Sequence, residues 1–365
     1  MGRALNMNHS TVVHIDIDAL QHNLRLIKSD VPKSKIIAMI KRDAYGHGMV
    51  KIAQGLGSDV DAFGVVFLQE ALHLHNAGIK EPILVLSGFL DKEELLAIDK
   101  YNFYCSVHNF AQIEILETTK LSKPLQVWLK IDTGMHRLGF GPNQVQEAYQ
   151  RLMRIDSVQK PLKLMTHFAD ADNLQSNKTI QQMDCLQTLI KELGLEGERC
   201  TANSAAILKW PVTHTEWARP GITLYGATPF ATGTGLDLGL KPVMTLTSRI
   251  IAIHDLAKDE KIGYGGIFTC PENMRTGIVA IGYGDGYPRN TKTGAPVLVN
   301  GMRTQVIGRV AMDMICVDLR LVPDVKIGDN VVLWGKGLPA EEVAAFTGEN
   351  VYELFSRLTS RVYYI

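Results

Sequence analysis

Over its first two thirds the chain alternates short β-rich runs with stretches of helical periodicity, eight times over. The β-rich runs fall at residues 35–41 (KIIAMIK), 61–66, 82–87, 103–107, 125–132, 162–168, 199–203 and 215–219. Between them, residues 68–78, 143–155 and 179–194 carry apolar side chains at helical spacing, and the last stretch ends in glycine, a common helix stop. Residues 14–30 supply a leading strand and helix. A strand–helix repeat of this kind builds a parallel sheet with helices packed on it. Eight repeats suit closure into an α/β fold, a (β/α)8 TIM-type barrel. The rival is an open doubly wound sheet, which wants a GxGxxG turn after its first strand; none follows here.

Near residue 240 the texture changes. MTLTSRIIAIHDL, TGIVAIGYG, APVLVNGMRTQVIGRV, MICVDL and NVVLWG are β-branched runs broken by Gly, Asn and Pro. That pattern predicts a mainly antiparallel β domain. The chain is thus read as a barrel over residues 10–240 and a β domain over 241–365, with 230–240 as linker and residues 1–9 as a segment that packs with the β domain. A length of 365 residues is more than one ordinary core serves, which agrees with two domains.

Composition narrows the partners. Lys+Arg and Asp+Glu are both 38, so the basic footprint of a nucleic-acid binder is missing. The five cysteines are scattered, odd in number and without a CxxC pair, which fits free thiols in a reducing compartment. The N-terminus MGRALNMNHS has no apolar signal core, and no apolar run reaches membrane-spanning length. The expectation is a soluble, cytoplasmic protein with no membrane partner.

In a barrel, the C-terminal ends of the strands build the site. The first strand ends in Lys41, ahead of RDAYGHG. A lysine there either marks the strand's exit to solvent or is used chemically, because burying an ammonium without a partner is costly. The fifth strand leads through Lys130 to Arg137, the sixth to His167, the seventh to Asn203 and Ser204, and the eighth to Arg219 followed by Pro220, Gly221 and Ile222. Loops after the last two strands are where barrels commonly bind phosphate. Ser204 either helps a helix start hold an anion or is simply its N-cap. Gly221 would let backbone approach a phosphate. A strand-end lysine with a phosphate cradle implies Schiff-base chemistry, either on a sugar-phosphate carbonyl or with pyridoxal phosphate. Arg219 favours the second, since only the cofactor has a pyridine nitrogen for it to face.

KRDAYGHG resembles the cofactor-lysine motif of alanine racemases. KIDTGMHRLGF, THFADAD, ANSAA, ARPGITLYG, GYGG, GYGDGYPR and GRVAMDM also look like blocks of that family, in the family's order, from about residue 10 to the C-terminus. The resemblance implies pyridoxal 5'-phosphate on Lys41 and interconversion of L-alanine and D-alanine by two bases, one on each face of Cα. Lys41 would be one. Tyr264, in KIGYGG, would be the other, reached from the second subunit of a head-to-tail homodimer. It also implies Arg219 at the pyridine nitrogen, Arg137 at the substrate carboxylate, and Met312 (across the interface) and Tyr283 around the substrate. Tyr45, Ser204, Gly221 and Ile222 would contact phosphate, Asn203 would lie in the same cofactor cradle, and His167 would stack near the ring. Lys130 would be carbamylated. The biological role implied is D-alanine supply for peptidoglycan.

The family pattern is not kept everywhere. Arg42-Asp43 replace the common Ala-Asn, and Ser360 stands where some members have an aromatic phosphate ligand. Alternatives on the same scaffold are a broad-specificity racemase and a basic amino-acid decarboxylase, the latter lacking its Gly-Gly-Gly and Cys-Asp motifs here.

Overall fold

The computed structural model describes residues 10–365. The expected packing of residues 1–9 with the β domain therefore lies outside the described residues. Two compact units divide the chain: one holds residues 21–224 and 229–232, the other the residues up to 20, 225–228 and 233–365.

The first unit is a closed barrel. Strand β1 (Val12–Ile15) precedes it, and the barrel strands are β2 (Lys35–Met39), β3 (Ala62–Val65), β4 (Ile83–Val85), β5 (Tyr104–Val107), β6 (Val127–Lys130), β7 (Lys163–Met165), β8 (Arg199–Asn203) and β9 (Trp217–Arg219). All neighbours are parallel, and β2 pairs with β9 to close the ring. Strands buried on both faces read as the continuous apolar runs seen in the sequence. The barrel core packs Ile37, Met39, Ala62, Leu84, Trp128, Met165, Cys200 and Trp217. Trp128 and Trp217 meet edge to face, 5.4 Å between centroids. The predicted helices form at Leu68–Asn76, Val145–Arg154 and Lys178–Leu193. Gly194 closes the last at φ 60°, a conformation glycine takes without a Cβ penalty.

The second unit is an eight-stranded sheet. Its further strands are β10 (Met244–Leu256), β13 (Met274–Val279), β14 (Pro296–Val299), β15 (Met302–Ile307), β16 (Ile315–Asp318), β17 (Asn330–Trp334) and β18 (Tyr363–Tyr364). The order is β13-β16-β15-β14-β17-β10-β1-β18, antiparallel except for β1 against β18. β1 therefore belongs to this sheet, although the sequence reading counted it with the barrel from residue 10. Its partners, residues 244–247 and 363–364, lie more than two hundred residues away, and local pattern carries no sign of such pairing. A separate ribbon, β11 (Lys261–Ile262) with β12 (Phe268–Thr269), projects from the unit. Ile262 anchors it in a cluster with Cys270, Met274, Ile307 and Cys316.

All five cysteines are free, and four are buried. Among the described residues no helix is long and apolar enough to cross a membrane.

Candidate active site

β2 stops at Met39, two residues short of the expected strand. The reason is backbone geometry. Arg42, Asp43, Ala44 and Tyr45 all sit at φ between 52° and 55°, a left-handed turn made without glycine. Each such residue costs about 1–2 kcal/mol, less for Asp, so the surroundings must impose it. They do so through hydrogen bonds: Ala44 N–H to the Ile40 carbonyl at 2.8 Å, Gly48 N–H to the Asp43 carbonyl at 3.0 Å, and Met49 N–H to Asp43 Oδ1 at 2.7 Å. Lys41 stands at the start of this turn, on the rim where the strands end.

Around it the strand ends gather cations. Lys41, Lys130, Arg137 and Arg219 are close enough to feel one another's charge. Burial, then Arg137 and Arg219, hold the Lys41 ammonium below its usual range, against the opposing pull of Glu70. Lys130 is 7% exposed and has no ion-pair partner among the described residues. Burial, with Arg219, Arg137 and Lys41, brings it down to about 7. Asp132 opposes this only in part, and its Oδ1 accepts the N–H groups of Gly134, Met135 and His136.

Arg219 is buried and fixed at every visible contact. Its Nη1 donates to the Cys200 carbonyl at 2.9 Å and to Cys200 Sγ at 3.0 Å, its Nη2 to the Thr166 carbonyl at 2.8 Å, and Nη2 lies 3.1 Å from His167 Nδ1. Burial and the neighbouring cations keep His167 neutral, so its Nδ1 is free to accept from Arg219.

The loops after β8 and β9 interlock. Asn203, not Ser204, caps helix Ser204–Lys209, its Oδ1 accepting from Ala206 N–H at 3.0 Å. Ser204 Oγ instead accepts Gly221 N–H at 2.8 Å and the Thr223 hydroxyl at 3.0 Å. A Cβ on Gly221 would lie 2.7 Å from Tyr45 Oη, so only glycine leaves that phenol in place. Burial pushes the Tyr45 phenol up to about 12, which keeps it protonated and a donor. Ile222 is buried beside them.

The structure thus brings Lys41, Tyr45, Lys130, Arg137, His167, Asn203, Ser204, Arg219, Gly221 and Ile222 onto one unit. A carboxylate-poor group of cations, with Lys130 and Arg219 buried and Lys41 half-buried, beside a glycine turn and a phenol donor fits an anionic cofactor bearing a phosphate. Glu70 was read only as part of a helix, and no spacing in the sequence marks its contact with Arg42.

The other three residues lie on the second unit. Tyr283 N–H donates to the Ala311 carbonyl at 3.0 Å and Gly284 N–H to the Met312 carbonyl at 2.8 Å, so Tyr283 and Met312 share one cluster. A Cβ on Gly282 would meet the Met312 carbonyl oxygen at 2.3 Å, which explains the glycine. Arg361 clamps the cluster through Asp285 at 3.1 Å and Asp313 at 2.8 Å, with Ser360 exposed beside it. Tyr264 sits on the separate ribbon, 71% exposed.

Two family models match the chain: the alanine racemase N-terminal domain over residues 15–229 and the alanine racemase C-terminal domain over residues 243–365. The chain belongs to the alanine racemase family, a family of isomerases. It is 48% identical over 357 residues, 98% of each chain, to the biosynthetic alanine racemase of Escherichia coli O6:H1, and 47% identical over the same span to that of Escherichia coli K12. Among solved structures it resembles biosynthetic alanine racemase from Pseudomonas aeruginosa, with a TM-score of 0.93, 39% identity and coverage of 98% of this chain and 99% of that one. Alanine racemase from Acinetobacter baumannii gives a TM-score of 0.92 at 38% identity, with the same coverage.

Proposed function

We propose that this chain is a pyridoxal 5'-phosphate-dependent alanine racemase, cytoplasmic and homodimeric, that supplies D-alanine for peptidoglycan. One observation supports it most: Lys41 and Arg219, the two residues that the family's chemistry needs at opposite ends of the cofactor, occur together within a group of cations that make no ion pair among the described residues. When bound, pyridoxal phosphate delocalises the electron pair left on Cα after a proton is removed.

The chain's own residues do the rest. Lys41 would hold the cofactor and serve as base on one face of Cα, where a lowered ammonium pKa leaves more of the free amine at neutral pH. Tyr264 of the partner subunit serves the other face. Arg137 binds the substrate carboxylate with a planar fork. Met312 and Tyr283, also from the partner, shape a small pocket around the methyl group. Ser204, Gly221, Ile222, Tyr45 and the Asn203-capped turn hold the phosphate, and His167 lies against the ring. Arg219 would face the pyridine nitrogen; a guanidinium does not give up a proton in proteins, so it would leave that nitrogen unprotonated. Carbamylation of Lys130 would turn a buried cation into an anion beside Arg137, and an intact mass matching the unmodified chain would remove that part. The domain boundary is proposed within residues 230–240.

The test follows L-alanine in heavy water with the loaded enzyme, reading optical rotation and Cα deuterium together. Loss of rotation with deuterium uptake is expected. In Tyr264→Phe, exchange from one enantiomer should persist while racemisation falls by about 10²–10⁴-fold. Neither signal from a protein that has bound the cofactor would overturn the reading.

A further inference from the structure

We propose that Glu70 is a positioning residue for Lys41: its carboxylate ties the left-handed turn that begins at Lys41 to the loop after β3. One oxygen, Oε1, accepts Arg42 N–H at 2.6 Å. The other, Oε2, accepts Val66 N–H at 2.8 Å and Phe67 N–H at 3.2 Å. A helix-capping glutamate at the third position reaches back to the cap residue's N–H and no further. Here that contact uses part of one oxygen. The second oxygen crosses to a different barrel loop, 28 residues away in sequence, and takes the first amide of a strained backbone segment.

That amide needs a partner. Arg42 to Tyr45 have left-handed backbone, and the turn is held at its far end by Asp43 Oδ1 on Met49 N–H. Glu70 holds the near end, one residue from Lys41. It also supplies a negative charge to Lys41, whose other charged neighbours are the cations Arg137, Arg219 and Lys130, with His167 neutral beside them. Position and charge therefore come from one side chain.

Glu70→Gln separates the two readings. The amide keeps one acceptor oxygen, which can serve Val66 and Phe67; its NH2 group then faces Arg42 N–H, donor against donor. In the full-length chain without cofactor, acetylation of Lys41 followed by peptide mass mapping should set in at lower pH than in the unaltered chain, because the stabilising anion is gone. In the loaded enzyme, kcat should fall by about ten- to a hundredfold, with KM for alanine within about threefold. Glu70→Asp restores the charge but not the reach: Lys41 should label as in the unaltered chain while kcat stays low. Lower thermal stability with unchanged Lys41 labelling and unchanged kcat would overturn the proposal and leave Glu70 as a helix cap. Should Glu70→Gln not fold, an unchanged kcat in Glu70→Asp overturns it equally. The activity arm rests on the racemase reading and the labelling arm does not, so failure of one is distinguishable from failure of the other.

Discussion

Where the barrel strands begin, Glu198 lies between two lysines: Oε1 is 2.7 Å from Lys35 Nζ and Oε2 is 2.8 Å from Lys163 Nζ, and Trp217 Nε1 donates to Oε2 at 2.7 Å. Lys163 also sits over the Trp217 ring, 4.3 Å from its centroid. Where the same strands end, Lys41, Lys130, Arg137 and Arg219 face one another with no ion pair among the described residues. One sheet therefore carries ion-paired lysines at one end and cations without an ion pair at the other. Matched charge serves the fold. Unmatched charge lowers stability unless an anion arrives, and it marks the end at which barrel enzymes bind their ligands.

The difference is open to direct test on the pH axis. Lys130 gives the larger effect. Burial and the neighbouring cations bring it to about 7, below the ordinary lysine value of 10.5, so between those limits the unfolded chain binds more protons and stability rises with pH. Its penalty is complete below about 7 and gone near 10.5, on the order of 5 kcal/mol across the window. Denaturant melts of the cofactor-free chain, in buffer stripped of carbon dioxide, should show that alkaline rise, and Lys130→Met should flatten it and raise stability at neutral pH. A Lys130→Met chain less stable than its parent at pH 7 would mean that the end where the strands finish is not the strained one.

At the other end the sign of the substitution reverses. Burial would raise the Glu198 carboxyl, but hydrogen bonds from Lys163, Lys35 and Trp217 win and hold it at about 2, below the ordinary 4.5. A depressed carboxylate contributes stability that is present above about 4.5 and lost as pH falls toward 2. Glu198 is 35% exposed, so solvent screens much of this and about 1–2 kcal/mol is expected. Glu198→Gln should lower stability at pH 7 by that amount, lose most of the acid limb, and leave racemisation within about twofold. Equal loss of activity and stability would erase the distinction between the two ends.

How much of this could be read from the chain differs by element. Lys41, Arg219 and the turns at Ser204 and Gly221 were legible because a barrel maps strand ends onto one rim, and the strands announce themselves as apolar runs. The left-handed turn was not. Arg-Asp-Ala-Tyr contains no glycine, and its conformation is imposed by partners such as Glu70, distant in sequence. For the same reason β1 was counted with the barrel, and Asn203 was passed over for Ser204 as cap: adjacent polar residues both suit the role, and only geometry chooses. The Glu198 pairing needs three strand starts in register, which local pattern does not encode.

The smallest expected effect concerns the departure at Asp43. Its side chain is exposed, and its role is one acceptor oxygen on Met49 N–H at 2.7 Å, at the start of helix Met49–Leu56. Asparagine offers the same oxygen and tolerates left-handed backbone as well as aspartate does. What Asp43→Asn removes is the charge at a helix N-terminus, about 0.3–1 kcal/mol at low salt and less when screened. A melting shift within that range, shrinking as salt is added, with kcat unchanged, would show that this loop is held by hydrogen-bond geometry. A larger loss that salt does not reduce would place Asp43 among the groups that act on Lys41, and the rim would then hold a second carboxylate in addition to Glu70.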